Sequence, residues 1–283
     1  MSGLRAIQLE PIRPQELAIT LFGAYVRPEP RPIWSGGIVQ LLKEFGFSTS
    51  AARATLSRLV DRGYLRRIRN GRLVSYEITK HCEEVLIEGE QRIFSLGSNT
   101  AWDGSWTVVW HSIPKRSRRK RGRFGIRLRF LGFGSIQDGT WISPHDRERE
   151  VLAVVEELGV SAHVGVLIGR PAADLQIDRV IDRSWDLEAL SRRYQRFVDE
   201  FESYCGKPDA NLTDRDAFLA RTSLAHAFRQ FPFLDPDLPD ELMPGSDARR
   251  NAVRVFHDVY QRLGDPAQRH FEQVAVQPAS RQS

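Results

Sequence analysis

The chain has 283 residues, 41% hydrophobic and 27% charged, with a formal net charge of +5 and a sequence pI near 9.5. This suits a globular protein of roughly two or three domains, and the charge permits a nucleic-acid partner without requiring one. Cys82 and Cys205 are far apart and lack CxxC spacing, no signal-peptide core opens the chain, and no apolar run approaches membrane-spanning length, so a reducing cytoplasm is expected and a disulfide framework, a zinc site and a membrane partner are not.

Met1 to Pro14 is punctuated by proline and reads as a loose tail. Pro14 opens a helix through Leu17, Leu21 and Tyr25, at a position where its missing N–H costs nothing. Prolines 28, 30 and 32 interrupt it. Trp34, Ile38, Leu41, Leu42 and Phe45 then recur at helical spacing up to Gly46.

The stretch Ser48 to Ile78 carries the most information. Ser48 or Thr49 caps a predicted helix, and Ala52, Leu56, Leu59 and Val60 form one apolar stripe on it. Ser50, Ala54, Ser57 and Arg58 occupy the opposite face, with Arg53 on its edge, and Gly63 ends the helix. Asn70-Gly71 is a strong hairpin signal. A two-residue loop there would pair Arg69 with Arg72 and Arg67 with Val74, gathering Arg67, Arg69 and Arg72 on one face. Directly opposed like charges cost stability, and a polyanion would remove that cost. The order helix, helix, turn, helix, hairpin over about residues 14–79 is that of a winged helix-turn-helix. Arg53 and Arg58 are then candidates for phosphate or guanine contacts, with Ser48, Ser50 and Ser57 for shorter hydrogen bonds. Arg67, Arg69 and Arg72 would touch the DNA backbone or minor groove. The alternative is a solvated amphipathic helix beside an ordinary hairpin. One such helix reads few base pairs, so specific binding calls for a homodimer on an inverted repeat.

From Thr79 to Leu96, Cys82, Leu86, Gly89, Ile93 and Leu96 form a heptad-like seam, either packing a linker helix on its own domain or contributing to a dimer interface. Asn99 to Gly104 reads as a boundary. Beyond it come a strand from Trp106 to Ile113, a basic helix from Lys115 to Leu131, and two short strands around Asp138-Gly139. A helix from Asp146 to Leu158 follows, with Val151, Leu152, Val154, Val155 and Leu158 buried, and then a strand from His163 to Ile168. This β-α-β-β-α-β order predicts a ferredoxin-like unit, the preferred dimer interface. The basic helix, including Arg116, Arg118, Arg119 and Lys120, has three open readings: contact with DNA phosphates, binding of an anionic effector such as CoA, or a solvated face.

After Ser184 the pattern turns helical. Leu187, Leu190, Tyr194, Phe197, Phe201 and Tyr204 make an aromatic stripe; further helices are expected over Asp214–Phe231 and Asp247–Leu263, with a frayed polar tail after Asp265. His226 and Arg229 share a helix face and suit either an anionic effector or a purely structural role. The overall prediction is an α+β chain: a winged helix-turn-helix with linker helix (1–97), a central ferredoxin-like dimerisation unit (98–182) and a C-terminal helical domain (183–283) as a possible effector site. No Ser-His-Asp spacing, Gly-rich phosphate loop, HExxH or GxGxxG occurs, so neither catalytic residues nor a cofactor are assigned and Gly36-Gly37 only opens a helix.

Three stretches resemble the PaaX family of repressors of phenylacetic acid catabolism. They are LFGAYVRP with IWSGGIVQLLKEFGFSTSAARATLSRLVDRGYL and NGRLVSYEIT; WDGSWTVVWHSIPKRSRRKRGRFGIRLRFLGFGSIQDGTWISP; and, more weakly, LAHAFRQFPFLDPDLPDELMP. The resemblance spans about residues 15–262. It implies a dimeric bacterial transcription factor that represses aromatic-catabolism operons and is released by an aryl-CoA thioester such as phenylacetyl-CoA. Gly245-Ser246-Asp247 stands where the family carries a tryptophan, and Ala225 and Ala227 flank His226 where larger or acidic residues are common. The central stretch is also similar to the small ferredoxin-like nuclease subunit of CRISPR systems. In that fold an aspartate ends the first strand and binds metal; here His111-Ser112-Ile113-Pro114 supplies no carboxylate, which argues against nuclease activity and leaves as the alternative function a metal-independent nucleic-acid-binding protein or nuclease built on this unit.

Overall fold

The computed structural model describes residues 12–98, 102–172, 175–206, 212–243 and 247–275. Most of the expected N-terminal tail (residues 1–11), part of the boundary after Asn99, the Gly245-Ser246 pair and the last residues of the polar tail lie outside these. The first elements are α1 (Pro14–Leu21), continued by a π turn over Phe22–Val26, then β1 (Ile33–Trp34), α2 (Ser35–Glu44) and α3 (Thr49–Asp61). Next come β2 (Leu65–Asn70), β3 (Leu73–Ile78), α4 (Lys80–Ser95), β4 (Trp106–His111) and α5 (Arg118–Phe130), the last entered through a 3₁₀ turn at Lys115–Ser117. β5 (Gly134–Gln137), β6 (Thr140–Ser143), α6 (Glu148–Leu158), β7 (Val164–Gly169) and α7 (Ile177–Ser184) follow. The chain continues with α8 (Leu187–Phe201), α9 (Asp214–Phe228), α10 (Phe231–Leu234), α11 (Asp247–Arg262) and α12 (Gly264–Ala275).

These elements form two compact units, one drawn from 1–94, 196–229 and 252–283, the other from 95–195 and 230–251. The stretch after residue 183 therefore contributes to both units, with the division falling inside α8.

In the first unit, α1, α2 and α3 bury Leu17, Leu21, Ile38, Leu41, Leu42, Ala52, Leu56 and Leu59 in one core. Beside them lies a three-stranded sheet in the order β1-β3-β2, whose short strand Ile33–Trp34 was not expected from the sequence. Phe218 of α9 and Ala267, Phe271 and Ala275 of α12 belong to the same core. The described residues after Asp265, up to Ala275, are thus not frayed: Ala267, Phe271, Val274 and Ala275 recur at i, i+4, i+7 and i+8, an apolar stripe within a stretch of polar average. Tyr25 sits where these helices meet, stacked on Phe271 (centroids 5.0 Å apart, planes at 11°), with its hydroxyl 2.8 Å from Thr222 Oγ1. The Arg221 guanidinium lies between two rings, 5.1 Å from the centroid of Tyr25 and 3.8 Å from that of Tyr260. Gly37 does more than open α2. A Cβ there would lie 2.6 Å from the Val274 carbonyl oxygen, so α12 can approach α2 this closely only over a glycine. The start of the α4 seam packs inside the unit: Cys82 is buried, and Leu86 Cδ2 lies 3.0 Å from where a Gly23 Cβ would be.

The second unit carries a four-stranded antiparallel sheet in the order β5-β6-β4-β7, the ferredoxin-like arrangement. α5 and α6 cover one face, burying Val109, Phe124, Leu128, Trp141, Val151, Val154, Val155 and Leu158. Leu152, expected inside, is 48% exposed because it falls on the outer face of α6. Tyr194, in the middle of α8, stacks on Phe231 (centroids 4.1 Å apart) and donates a 2.5 Å hydrogen bond to the fully buried Asp235 carboxylate. Arg249 Nη1 lies 3.8 Å from the same carboxylate. These contacts place residues on either side of α9 in this unit.

Candidate nucleic-acid interface

The helix-turn-helix begins where α2 ends. Gly46 adopts φ +87°, and Phe47 N–H returns to the Leu42 carbonyl at 3.4 Å, satisfying carbonyls that the helix end leaves open. Ser48 then caps α3, its Oγ accepting from Ala51 N–H at 3.2 Å. Of the two caps the sequence allowed, Ser48 is used. A second glycine turn stops the helix: Gly63 has φ +74°, and Tyr64 N–H bonds to the Leu59 carbonyl at 2.9 Å. Thr79 Oγ1 reaches the carbonyls of Gly63 and Tyr64, at 2.6 and 3.2 Å, and so fastens the end of the hairpin to the end of α3.

Between these caps α3 divides as its sequence predicts. Ala52, Thr55, Leu56 and Leu59 are buried, while Ser50, Arg53, Ser57 and Arg58 face solvent. Positions 50, 53 and 57 share one face at i, i+3 and i+7. The Arg53 and Arg58 side chains make no ion pair or hydrogen bond among the described residues. The Ser48 and Ser50 hydroxyls lie 2.9 Å apart and bond each other, so Ser48 serves the cap first.

The hairpin register differs from the expected one. Asn70 pairs with Leu73, Arg69 with Val74 and Arg67 with Tyr76, so the two-residue loop is Gly71-Arg72. Gly71 has φ +59° and Asn70 does not have positive φ, which places glycine first in the loop, as in a type II′ turn. Arg72 therefore sits at the tip rather than opposite Arg69, and the expected clash of paired like charges is absent. Arg67 lies over the Tyr76 ring (5.8 Å to the centroid), and Arg66, not singled out from the sequence, is tied to Glu77. Arg69 and Arg72 are exposed and make no ion pair among the described residues.

The basic helix is organised differently. Arg121 pairs with Asp138, Glu157 receives both Arg123 (3.0 Å) and Arg127 (3.3 Å), and Lys120 Nζ donates to the Gly159 carbonyl at 3.3 Å. The Arg121 guanidinium holds the Asp138 carboxyl below the usual range. Arg116, Arg118 and Arg119 are exposed and make no ion pair among the described residues.

His226 and Arg229 do share a helix end, but their side chains turn to α1. Arg229 Nη1 donates to the Glu16 carbonyl (2.8 Å) and to Thr20 Oγ1 (3.2 Å), and His226 Nδ1 lies 3.4 Å from the same hydroxyl. Burial, with Arg229 beside it, pushes the His226 pKa down to about 4. A neutral imidazole and a guanidinium already bonded to backbone make a tether between α9 and α1, a different use from the expected effector contact. Among the described residues, no group of three or more His, Cys, Asp or Glu could hold a metal ion, and no helix is long and apolar enough to cross a membrane.

Comparison with known proteins matches this architecture along the chain. Residues 13–82 match the profile for PaaX-like protein, residues 99–180 the PaaX protein central Cas2-like domain, and residues 185–273 the PaaX-like protein C-terminal domain. The transcriptional repressor PaaX of Escherichia coli (strain K12) is 26% identical over 272 residues, spanning 93% of this chain and 84% of the relative. A solved structure, the uncharacterized protein Rv0674 from Mycobacterium tuberculosis, shares the fold with a TM-score of 0.58 at 18% identity, covering 92% of this chain and 97% of the other. With all three domain profiles matched in order, the chain belongs to the PaaX family.

Proposed function

We propose that this protein is a cytoplasmic, DNA-binding transcriptional repressor that reads an operator through α3. The observation that carries this is the division of α3: a capped helix fixed to a core on one side and presenting Ser50, Arg53, Ser57 and Arg58 without ion-pair partners among the described residues on the other. Guanidinium forks at that position suit guanine edges and phosphates, and hydroxyls suit shorter contacts. Arg69 and Arg72 at the wing tip add charge where a duplex backbone would pass. The similarity to a protein named as a transcriptional repressor supports repression. The protein works as a homodimer on an inverted repeat, with the ferredoxin-like unit as the interface. Trp110 (49% exposed) and Leu167 (58% exposed) supply apolar surface on the outer face of its sheet. Release from DNA follows binding of an aryl-CoA thioester such as phenylacetyl-CoA, as the family resemblance implies. His226 and Arg229 hold α9 to α1 in this scheme and are not effector ligands.

A nuclease reading is weaker, because β4 runs out into His111-Ser112-Ile113-Pro114 without the carboxylate a hard metal ion needs. The test is selection of bound duplexes from a randomised pool by the full-length chain. Enrichment of an inverted repeat with half-sites one helical turn or a multiple apart is expected; a pool that stays random after repeated rounds contradicts the proposal.

A further inference from the structure

Lys115, Arg118, Arg121 with its neighbour Gly122, Gly125 and Arg129 follow one another at steps of three or four residues through the 3₁₀ turn and α5, and so lie along one side. The side of α5 that packs on the sheet carries the buried Phe124 and Leu128; the flank beside it carries cations and glycines. This flank walls a pocket of about 690 Å³, closed by His111 at the end of β4 and by Ser135, Asp138, Gly139 and Trp141 of the β5–β6 hairpin. The glycines leave it open: a Cβ on Gly122 would meet nothing within 4 Å, and one on Gly125 would touch the Trp141 ring at 3.4 Å.

The charge in the pocket exceeds what its own anion offsets. Asp138 is bound to Arg121, and Arg129 lies 5.2 Å from the centroid of the Trp141 ring. Lys115 and Arg118 make no ion pair or hydrogen bond among the described residues, although Lys115 adds to the field that holds Asp138 ionised. Burial and then Arg121 push the His111 pKa below the ordinary histidine value, against the pull of Asp138, and its Nδ1 is buried without a hydrogen-bond partner among the described residues. Crowded cations of one sign destabilise a fold unless an anion joins them. A single carboxylate is too little charge for this set. A diphosphate brings several acceptor oxygens and matches the arginine fork. A concave site of this volume suits a small molecule, whereas duplex phosphates line a convex cylinder.

We propose that this pocket binds a small diphosphate-bearing anion, with Lys115 and Arg118 as its phosphate ligands. The inference rests on the effector part of the preceding reading only for its consequence, since it names the unit that takes the anionic end of such a ligand. Binding is measured without DNA, so its failure and the failure of the repressor reading are separable. Calorimetry on the full chain with inorganic pyrophosphate, ADP and CoA should give saturable binding of one ligand per chain for at least one, and the three arms separate a bare diphosphate from a nucleotide. The exposed pair Lys115→Ala/Arg118→Ala should lose about tenfold or more in affinity, the scale of one charge-assisted hydrogen bond. Gly122→Leu should fill the pocket and abolish binding while leaving every cation in place. Leucine favours a helix over glycine, so its circular dichroism should stay native. No saturable binding of any of the three, binding that survives in a natively folded Gly122→Leu, or unchanged affinity in the double variant would each overturn the proposal. Should the double variant instead weaken binding to every duplex while none of the small phosphates binds, the face is a DNA-backbone contact and the pocket assignment fails.

Discussion

Helices α3 and α5 are both 13 residues long, and α5 holds far more arginine, yet the two present their charge in opposite ways. On α5, Arg121, Arg123 and Arg127 end on Asp138 or Glu157, and Lys120 on a backbone carbonyl. On α3, Arg53 and Arg58 end in solvent, above a face of Ala52, Leu56 and Leu59 that is almost wholly buried. The count of cations in a helix therefore says little about which helix meets a polyanion. What decides is whether the fold has already supplied counter-charges. Exposed ion pairs contribute little to stability, but they remove a guanidinium from the set available to phosphate. Among the described residues the start of the basic segment, Lys115, Arg116, Arg118 and Arg119, keeps that character, and of these Lys115 and Arg118 line the pocket.

The contrast depends on α3 being held rigidly by its buried side, and the core there includes α12. Phe271→Ala should cost about 3–5 kcal/mol in urea denaturation, since it removes a fully buried ring stacked on Tyr25. A cost below about 1 kcal/mol would mean that α12 does not support the DNA-binding unit.

A smaller effect is expected from the tether. The unfolded chain protonates His226 near the ordinary histidine value of 6.5, whereas the folded chain resists protonation to about 4. Between those values the unfolded state binds more protons, so the contribution is full above pH 6.5 and is lost as pH falls toward 4. That loss is on the order of 3 kcal/mol. Glu200, raised by burial to about 7, works in the opposite direction, its contribution fading as pH rises from 4.5. The His226 term is isolated by comparing the parent with His226→Gln. The variant should show a flatter stability profile across the acid window; identical profiles would remove the tether from the account.

The smallest change concerns the wing. Arg67→Ala/Arg69→Ala/Arg72→Ala should weaken binding to all duplexes alike and flatten the plot of log affinity against log salt by up to about three units. Because Arg67 is engaged with Tyr76, most of that change should come from Arg69 and Arg72. A shift in base preference without a shift in salt slope would make the wing a reader of sequence.

Much of this arrangement is legible in the chain itself. The α3 stripe, its Ser48 cap and its Gly63 stop are local signals, and local hydrogen bonds realise them as expected. The order of the ferredoxin-like unit follows from alternating strand and helix patterns, and the sheet order agrees with it. The hairpin register departs from the expected one because Asn70 stays in the strand and Gly71 takes the positive φ at the first loop position, so Leu65 pairs with Ile78 and Arg67 with Tyr76. The uses of Gly37, Phe271 and His226 depend on partners more than 200 positions away in sequence, which periodicity does not reveal. The pocket was hidden for a related reason: the basic run was visible, but Trp141 and Ser135 reach it only through the hairpin that folds back over α5.

The central claim is that α3 binds DNA and α5 largely does not. It is tested most directly on the inverted repeat recovered by selection, comparing the parent, Arg53→Ala/Arg58→Ala and Arg123→Ala/Arg127→Ala, each shown by circular dichroism to be folded. The α3 variant should lose about 1–3 kcal/mol per contact removed. The α5 variant, whose arginines are already paired with Glu157, should stay within about 0.5 kcal/mol of the parent. Unchanged affinity in the α3 variant, or an equal loss in both, would contradict the account.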